Sequence, residues 1–263
     1  MKLSALTSSL PLALPAAIEA IADLGFHWID VPPTADPIAR QTLKVRDLEV
    51  ACVALERDPP GTFDLASQEG VIRRRSVDYF REAIARTAEL NAPAGYLTPP
   101  VAANESTVDR WTESLVALAD AAEACGIQLC IEHFPRRALP TVAATLQFLE
   151  GLGHSSLRLL IDVGHCLISA EDAAEAVIKA GDRLGYLHFD DNDGVDDLHW
   201  ALLDGRLTEA QITAVIKAQR SAGYRGALCI ELNPRLDGPL ENLRRSSEAL
   251  HRCAVDNYRS VAG

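Results

Sequence analysis

Short apolar runs alternate along this chain with stretches whose apolar residues recur every three to four positions, in units of about 25 to 40 residues. The runs read as strands at 2–6, 26–31, 50–56, 95–98, 128–132, 158–162, 185–189 and 227–231, and each is followed by a helical pattern. Helix signals punctuate the pattern. Ser106 precedes a stripe of Trp111, Leu115, Leu118 and Ala122 that Gly126 closes. Thr208 and Gln211 have the spacing of a capping box ahead of Ile212, Val215 and Ile216, with Gly223 as the stop. Pro239 follows Asp237 and Gly238 at a first-turn position. Eight strand–helix units within 263 residues predict a single-domain α/β fold, a (β/α)8 barrel of the TIM type. The competing fold, a doubly wound open sheet, usually has a glycine-rich first turn, and here that turn reads SSLPLALP.

Composition narrows the picture. With 48% hydrophobic residues the chain can fill a large core, which excludes extensive disorder. A net charge of -12 argues against nucleic acid and anionic membranes as partners. No apolar stretch approaches the roughly 20 residues that cross a bilayer. The start imitates a signal peptide, but two prolines interrupt its apolar run and the same residues are needed for the first strand and turn, so it is read as part of the fold. Six scattered cysteines without a CxxC pair read as buried thiols in a reducing, cytoplasmic setting. The polar segment 58–75 reads either as a lid over the barrel mouth or as a surface excursion.

No GxGxxG, Walker, GxSxG or HExxH motif is present. What stands out instead is the way four strands end. LCI runs into Glu132, LLI into Asp162, GYL into His188 and LCI into Glu231, about one β/α unit apart. On a barrel all four side chains would emerge at the carboxyl rim, where barrel enzymes keep their active sites. Three carboxylates and an imidazole at close range need protons or a cation, and this oxygen-rich set suits one divalent ion: Mn²⁺, Mg²⁺, Co²⁺, Fe²⁺ or Zn²⁺. His165 lies three residues beyond Asp162, and Asp197 and His199 follow the His188 strand. The acidic loop 190–194 does not form an EF-hand, whose first and twelfth positions would fall on Phe189 and Trp200. His133 should face away from Glu132 and pack under a loop.

The segments IEHFP, LLIDVGH, LHFDDNDGVDDLH and CIELNP resemble the xylose-isomerase-like barrel superfamily of sugar isomerases and epimerases, hydroxypyruvate isomerases, 3-dehydroshikimate dehydratases and the endonuclease IV type of nuclease. The resemblance implies that Glu132, Asp162, His188 and Glu231 hold one divalent metal. It further implies that His165 touches substrate or, with Asp197 and His199, a second metal. The nuclease also draws histidines from earlier strands, and segments 50–56 and 95–98 have none. Relatives of this kind are commonly homo-oligomers.

The activity so implied is that of a sugar or keto-sugar isomerase or epimerase, moving a proton beside a carbonyl through a metal-stabilised enediolate. Glu132 and Glu231 are then the catalytic pair. His165 and His199 contact the substrate, a sugar or keto-acid, and Arg136 reaches a hydroxyl or carboxylate or is a plain surface arginine. Two other readings stand beside it: a lyase or dehydratase that begins with the same proton removal, and a non-catalytic ligand-binding barrel. Trp28, Phe63, Tyr96 and Trp200 are candidates for stacking on a sugar ring, or ordinary packing residues.

Overall fold

A computed structural model describes residues 1–57, 61–102 and 104–259, with the side chains up to 255. Its strands are β1 (Leu3–Leu6), β2 (Trp28–Val31), β3 (Glu49–Ala54), β4 (Ala94–Leu97), β5 (Gln128–Glu132), β6 (Leu157–Asp162), β7 (Leu184–Phe189) and β8 (Leu228–Ile230). All pair in parallel, each with its neighbour in sequence. Ser4 of β1 pairs with Cys229 of β8, so the sheet closes and the doubly wound alternative is excluded. The helices among the described residues are α1 (Leu14–Asp23), α2 (Pro37–Val45), α3 (Gly70–Glu89), α4 (Glu105–Cys125), α5 (Val142–Leu152), α6 (Val163–Ile168), α7 (Ala173–Ala180), α8 (Glu209–Ser221) and α9 (Pro239–Arg259). None of them is long and apolar enough to cross a membrane.

The alternation of side chains along each strand builds two cores. Leu129, Ile131, Leu159, Ile161, Leu187, Phe189, Leu228 and Ile230 face outward and pack under the helices. Cys130, Leu160, Tyr186 and Cys229 face inward and fill the barrel with Leu6, Cys52, Ala54 and Tyr96. Continuing the inward set by two residues gives Glu132, Asp162, His188 and Glu231. The same alternation therefore makes a dry barrel interior and places four polar groups at its top.

Several local signals work as their chemistry predicts. Thr208 and Gln211 form the reciprocal capping box of α8, and Pro239 starts α9. Pro15 occupies the first turn of α1, where its missing N–H is harmless, and β1 and α1 account for the signal-like start. Others differ from expectation. Asn104, not Ser106, caps α4: its Oδ1 accepts from Thr107 N at 3.0 Å, while Ser106 is already inside the helix. Cys125 is exposed at the end of α4, whereas the other five cysteines are buried.

Segment 58–75 divides into parts. Residues 58–60 lie outside the described residues, and Gly70 onward is the start of α3. Between them Phe63 stacks on Tyr79 at 4.0 Å, Leu65 and Ala66 are buried, and Ser114 and Arg110 of α4 donate to their carbonyls. Residues 63–66 are thus packed on the helical layer, at odds with the lid, one of the two readings this segment offered.

Candidate metal centre and active-site cavity

The four strand-end side chains converge. One donor atom from each of Glu132, Asp162, His188 and Glu231 lies within 4.8 Å of the other three, and all four residues are buried. His188 is central: its Nδ1 is 2.8 Å from Glu231 Oε2 and 3.9 Å from both Glu132 Oε1 and Asp162 Oδ2. Asp162 Oδ1 has a second duty as the cap of α6, accepting from His165 N at 2.8 Å. Its Oδ2 is buried without a hydrogen-bond partner, as is His188 Nε2. An orphaned buried carboxylate oxygen is costly unless a cation or donor satisfies it. The donor set and its orphaned oxygen therefore fit a divalent ion.

Burial and neighbouring charge act on these groups in opposite senses. Burial raises the Glu132 carboxyl to about 7, only partly offset by His165 and His188. Burial also opposes the charge on Glu231, but the adjacent His188 outweighs it and holds that carboxyl below the ordinary range. For His188 itself burial disfavours the cation, yet Glu231 and Glu132 push the ring up to about 9.

A second group adjoins the first. His165 Nε2 and His199 Nε2 lie 3.3 and 3.0 Å from Asp197 Oδ1, and donor atoms of all three residues fall within 4.8 Å of one another. His165 Nδ1 donates to His133 O at 2.9 Å and stands 3.6 Å from Glu132 Oε1, which links the two groups. His199 Nδ1 rests 3.1 Å from buried Asp190. Asp190 is packed so tightly under Gly164 that only glycine fits there: a Cβ would lie 1.8 Å from Asp190 Oδ1. In the acidic loop Asp191 is spent on the backbone, its carboxylate accepting from the N–H groups of Asn192, Leu203, Gly205 and Leu207.

A cavity of about 480 Å³ opens above these groups, lined by Glu132, Glu231, Asp197 and His199 together with Glu56, Arg57, Tyr96, Thr98, Phe134 and Arg137. Arg136 is not part of it. Its backbone is left-handed (φ 66°), which turns the side chain out to Asp196 and the carbonyl of Val195, and brings the next residue, Arg137, to the cavity wall. His133 faces away as the strand alternation requires, with Nε2 3.2 Å from the backbone N and O of Asp162.

Of the four aromatic candidates only Tyr96 lines this cavity, edge-on to His188 at 5.0 Å. Trp200 forms a backbone bridge with Asp191, and Phe63 packs on α3. Trp28 stands at the opposite end of the barrel, in a cavity of about 670 Å³ beside Lys2, Glu49 and Tyr224.

Sequence reasoning did not single out Arg57, whose Nη2 contacts Glu231 Oε1, or Asp30 in the barrel interior. Arg57 follows the end of the third predicted strand, and its place on the rim was the available signal. Asp30 accepts from Tyr186 Oη at 2.7 Å, within a barrel filling that also holds Ser4; no motif marked it.

A closed parallel barrel with histidines and carboxylates gathered at its carboxyl rim defines the class: a TIM barrel whose candidate active site lies at the top of β5 to β8. The chain belongs to the xylose isomerase-like TIM barrel family, whose family model matches residues 18–253. It is 29% identical over 239 residues to an L-ribulose 3-epimerase of Mesorhizobium japonicum, the match spanning 87% of this chain and 77% of that protein. Over 196 residues it is 26% identical to a D-psicose 3-epimerase of Agrobacterium fabrum, spanning 65% of each, just under two thirds of that protein's length. The crystal structure of a 3-keto-D-glucoside 4-epimerase from E. coli superimposes with a TM-score of 0.80 over 96% of this chain and 100% of the other, at 17% identity, a likeness of fold alone.

Proposed function

We propose that this chain is a divalent-metal-dependent sugar epimerase that moves a proton at the carbon beside a ketose or keto-sugar carbonyl. The observation that carries the reading is the convergence of Glu132, Asp162, His188 and Glu231, two of which, Glu132 and Glu231, line a cavity large enough for a sugar. The relatives that are 3-epimerases support it. The ion these four residues would hold, Mn²⁺, Mg²⁺, Co²⁺, Fe²⁺ or Zn²⁺, supplies a Lewis acid for the carbonyl and the hydroxyl next to it.

Glu132 on β5 and Glu231 just beyond β8 are separated around the barrel by two strands, β6 and β7, and both line the cavity. One takes the proton from carbon and the other returns it to the opposite face, which inverts that centre. His165 and His199 hydrogen-bond substrate oxygens, and Asp197 orients both rings. The same trio is also the donor set of a second divalent ion. Elemental analysis of the purified protein separates the two roles: one ion per chain assigns the trio to substrate, two to a second centre.

The reaction is tested by Glu231→Gln, which removes a proton acceptor while keeping the shape of the side chain. This variant is expected to lose solvent-deuterium incorporation at the carbon beside the carbonyl, read by NMR with a panel of ketoses. Incorporation at the unaltered rate would refute the assignment. New ultraviolet absorbance from an enone product would instead mark elimination.

A further inference from the structure

We propose that the substrate of this site carries an anionic group, a carboxylate or a phosphate, and that Arg137, on the cavity wall that Arg57 also lines, receives that group where the segments after β4 and β5 meet. The inference rests on the epimerase reading and adds the chemical class of its substrate.

The acidic groups that line this cavity can hold a cation and bind hydroxyls, so a neutral ketose would need no guanidinium. Two are nonetheless present on the wall. Arg57 is engaged by Glu231. Arg137 differs: among the described residues it forms no ion pair, and its hydrogen bonds go to neutral acceptors, from Nη1 to Thr98 Oγ1 at 2.8 Å and to Pro99 O at 3.2 Å. The nearby carboxylate of Glu56 is bound instead to Thr98, accepting from its N at 2.7 Å and its Oγ1 at 2.8 Å. Thr98 Oγ1 therefore bridges the two, accepting from Arg137 and donating to Glu56, and the charge of Arg137 acts on Glu56 only as one of several influences that oppose the effect of burial.

The guanidinium is also held in place. It stacks over the Phe134 ring at 4.0 Å, and both protein hydrogen bonds leave from Nη1, so the donors on Nη2 and Nε are uncommitted among the described residues. A planar fork fixed by stacking, with an open donor edge, matches carboxylate and phosphate geometry better than a single hydroxyl.

The charge of the whole molecule strengthens the case. At a net charge of -12 the chain repels an anion at long range, but that field is screened beyond about 8 Å at physiological salt. Capture of an anionic substrate then depends on cations within the cavity itself. If Arg137 served only to tie the segment after β4 to the segment after β5, its loss would affect charged and neutral substrates alike.

The test uses the full chain supplied with Mn²⁺ and three ketoses of one skeleton, ending in a hydroxymethyl, a carboxylate or a phosphate group. The reading is kcat/KM for solvent-deuterium incorporation beside the carbonyl. One of the two anions is expected to exceed the neutral ketose by about tenfold or more, as for a hydrogen bond to a charged group, and the better one identifies the source. Arg137→Gln should reduce that ratio by roughly tenfold to a hundredfold, chiefly through KM. Arg137→Lys, which keeps the charge, should retain most of it even if the Gln variant folds poorly. Preference for the neutral ketose, or an unchanged ratio in Arg137→Gln, overturns the anion subsite and leaves the epimerase reading standing. Incorporation with none of the three overturns both.

Discussion

Gly164 lies between Asp162 and His165 and has Asp190 against its open face. Adding one methyl group there forces either the Asp190 carboxylate or the start of α6 to move, and both adjoin the candidate centre. Gly164→Ala is expected to cost about 1–3 kcal/mol in chemical denaturation, the usual range for an overfilled site. Asp162→Asn makes the opposite kind of change. Asparagine caps helices as well as aspartate does, so α6 keeps its start while the centre loses a charge. Groups that only support metal ligands are worth about 10–100-fold in affinity, so a Co²⁺ titration of this variant should show binding weakened by at least about tenfold. The stability of the metal-free variant should stay within about 1 kcal/mol of the parent.

Strand alternation governs the four strand-end residues found from sequence, whereas His165, Asp197 and His199 were found from their spacing beyond those strand ends. Glu132, Asp162, His188 and Glu231 each lie two positions beyond an inward-facing residue, and a period of two is legible without coordinates. The arginine could not be placed in the same way, because that rule stops where the strand stops. A single left-handed residue after β5 decides whether position 136 or 137 meets the cavity, and nothing in the residue types announces it.

At the scale of elements, the caps give the clearest test. The α8 capping box joins Thr208 and Gln211 on the solvent side and touches nothing in the cavity. Thr208→Ala should therefore cost about 1 kcal/mol of stability, measured by urea unfolding, with the deuterium-incorporation rate unaltered. Seven of the predicted strands differ from the observed ones by only one or two residues at an end, because in a parallel barrel the apolar runs are bounded sharply by polar turns. The α4 start was misplaced for a physical reason: Asn104 and Ser106 are both good caps, and only the path of the incoming chain selects between them. The segment before α3 left lid and surface excursion open, because its polar residues sit beside Phe63, Leu65 and Ala66, and the packing of these three residues on α3 and α4 depends on contacts far along the chain.

For the molecule as a whole, the proposed metal reading makes stability depend on the ion that the buried carboxylates would hold. Anything that binds only the folded state stabilises it by mass action, about 2.7 kcal/mol at a hundred times the dissociation constant. Thermal unfolding after dialysis against a chelator should therefore occur at lower temperature, and Mn²⁺ or Co²⁺ should restore the original value. A melting temperature indifferent to both would argue against a metal in this barrel. The closed architecture was legible from the count of β/α units, whereas the second, larger cavity at the amino end was not, since it is formed by strand starts and turns that share no periodic signal.

The four metal candidates all come from one half of the cylinder, β5 to β8, while Arg57, Tyr96 and Thr98 on the cavity wall come from β3 and β4 and the residues just after them. On the proposed epimerase reading, such a barrel can vary the part of its cavity wall that precedes β5 while the candidate reacting groups and Arg137, which all follow the α4–β5 junction, stay together. Laboratory recombination at the α4–β5 junction should follow the same seam, yielding chimaeras that keep the reacting groups and the Arg137 subsite of one parent and take only the β3 and β4 wall from the other.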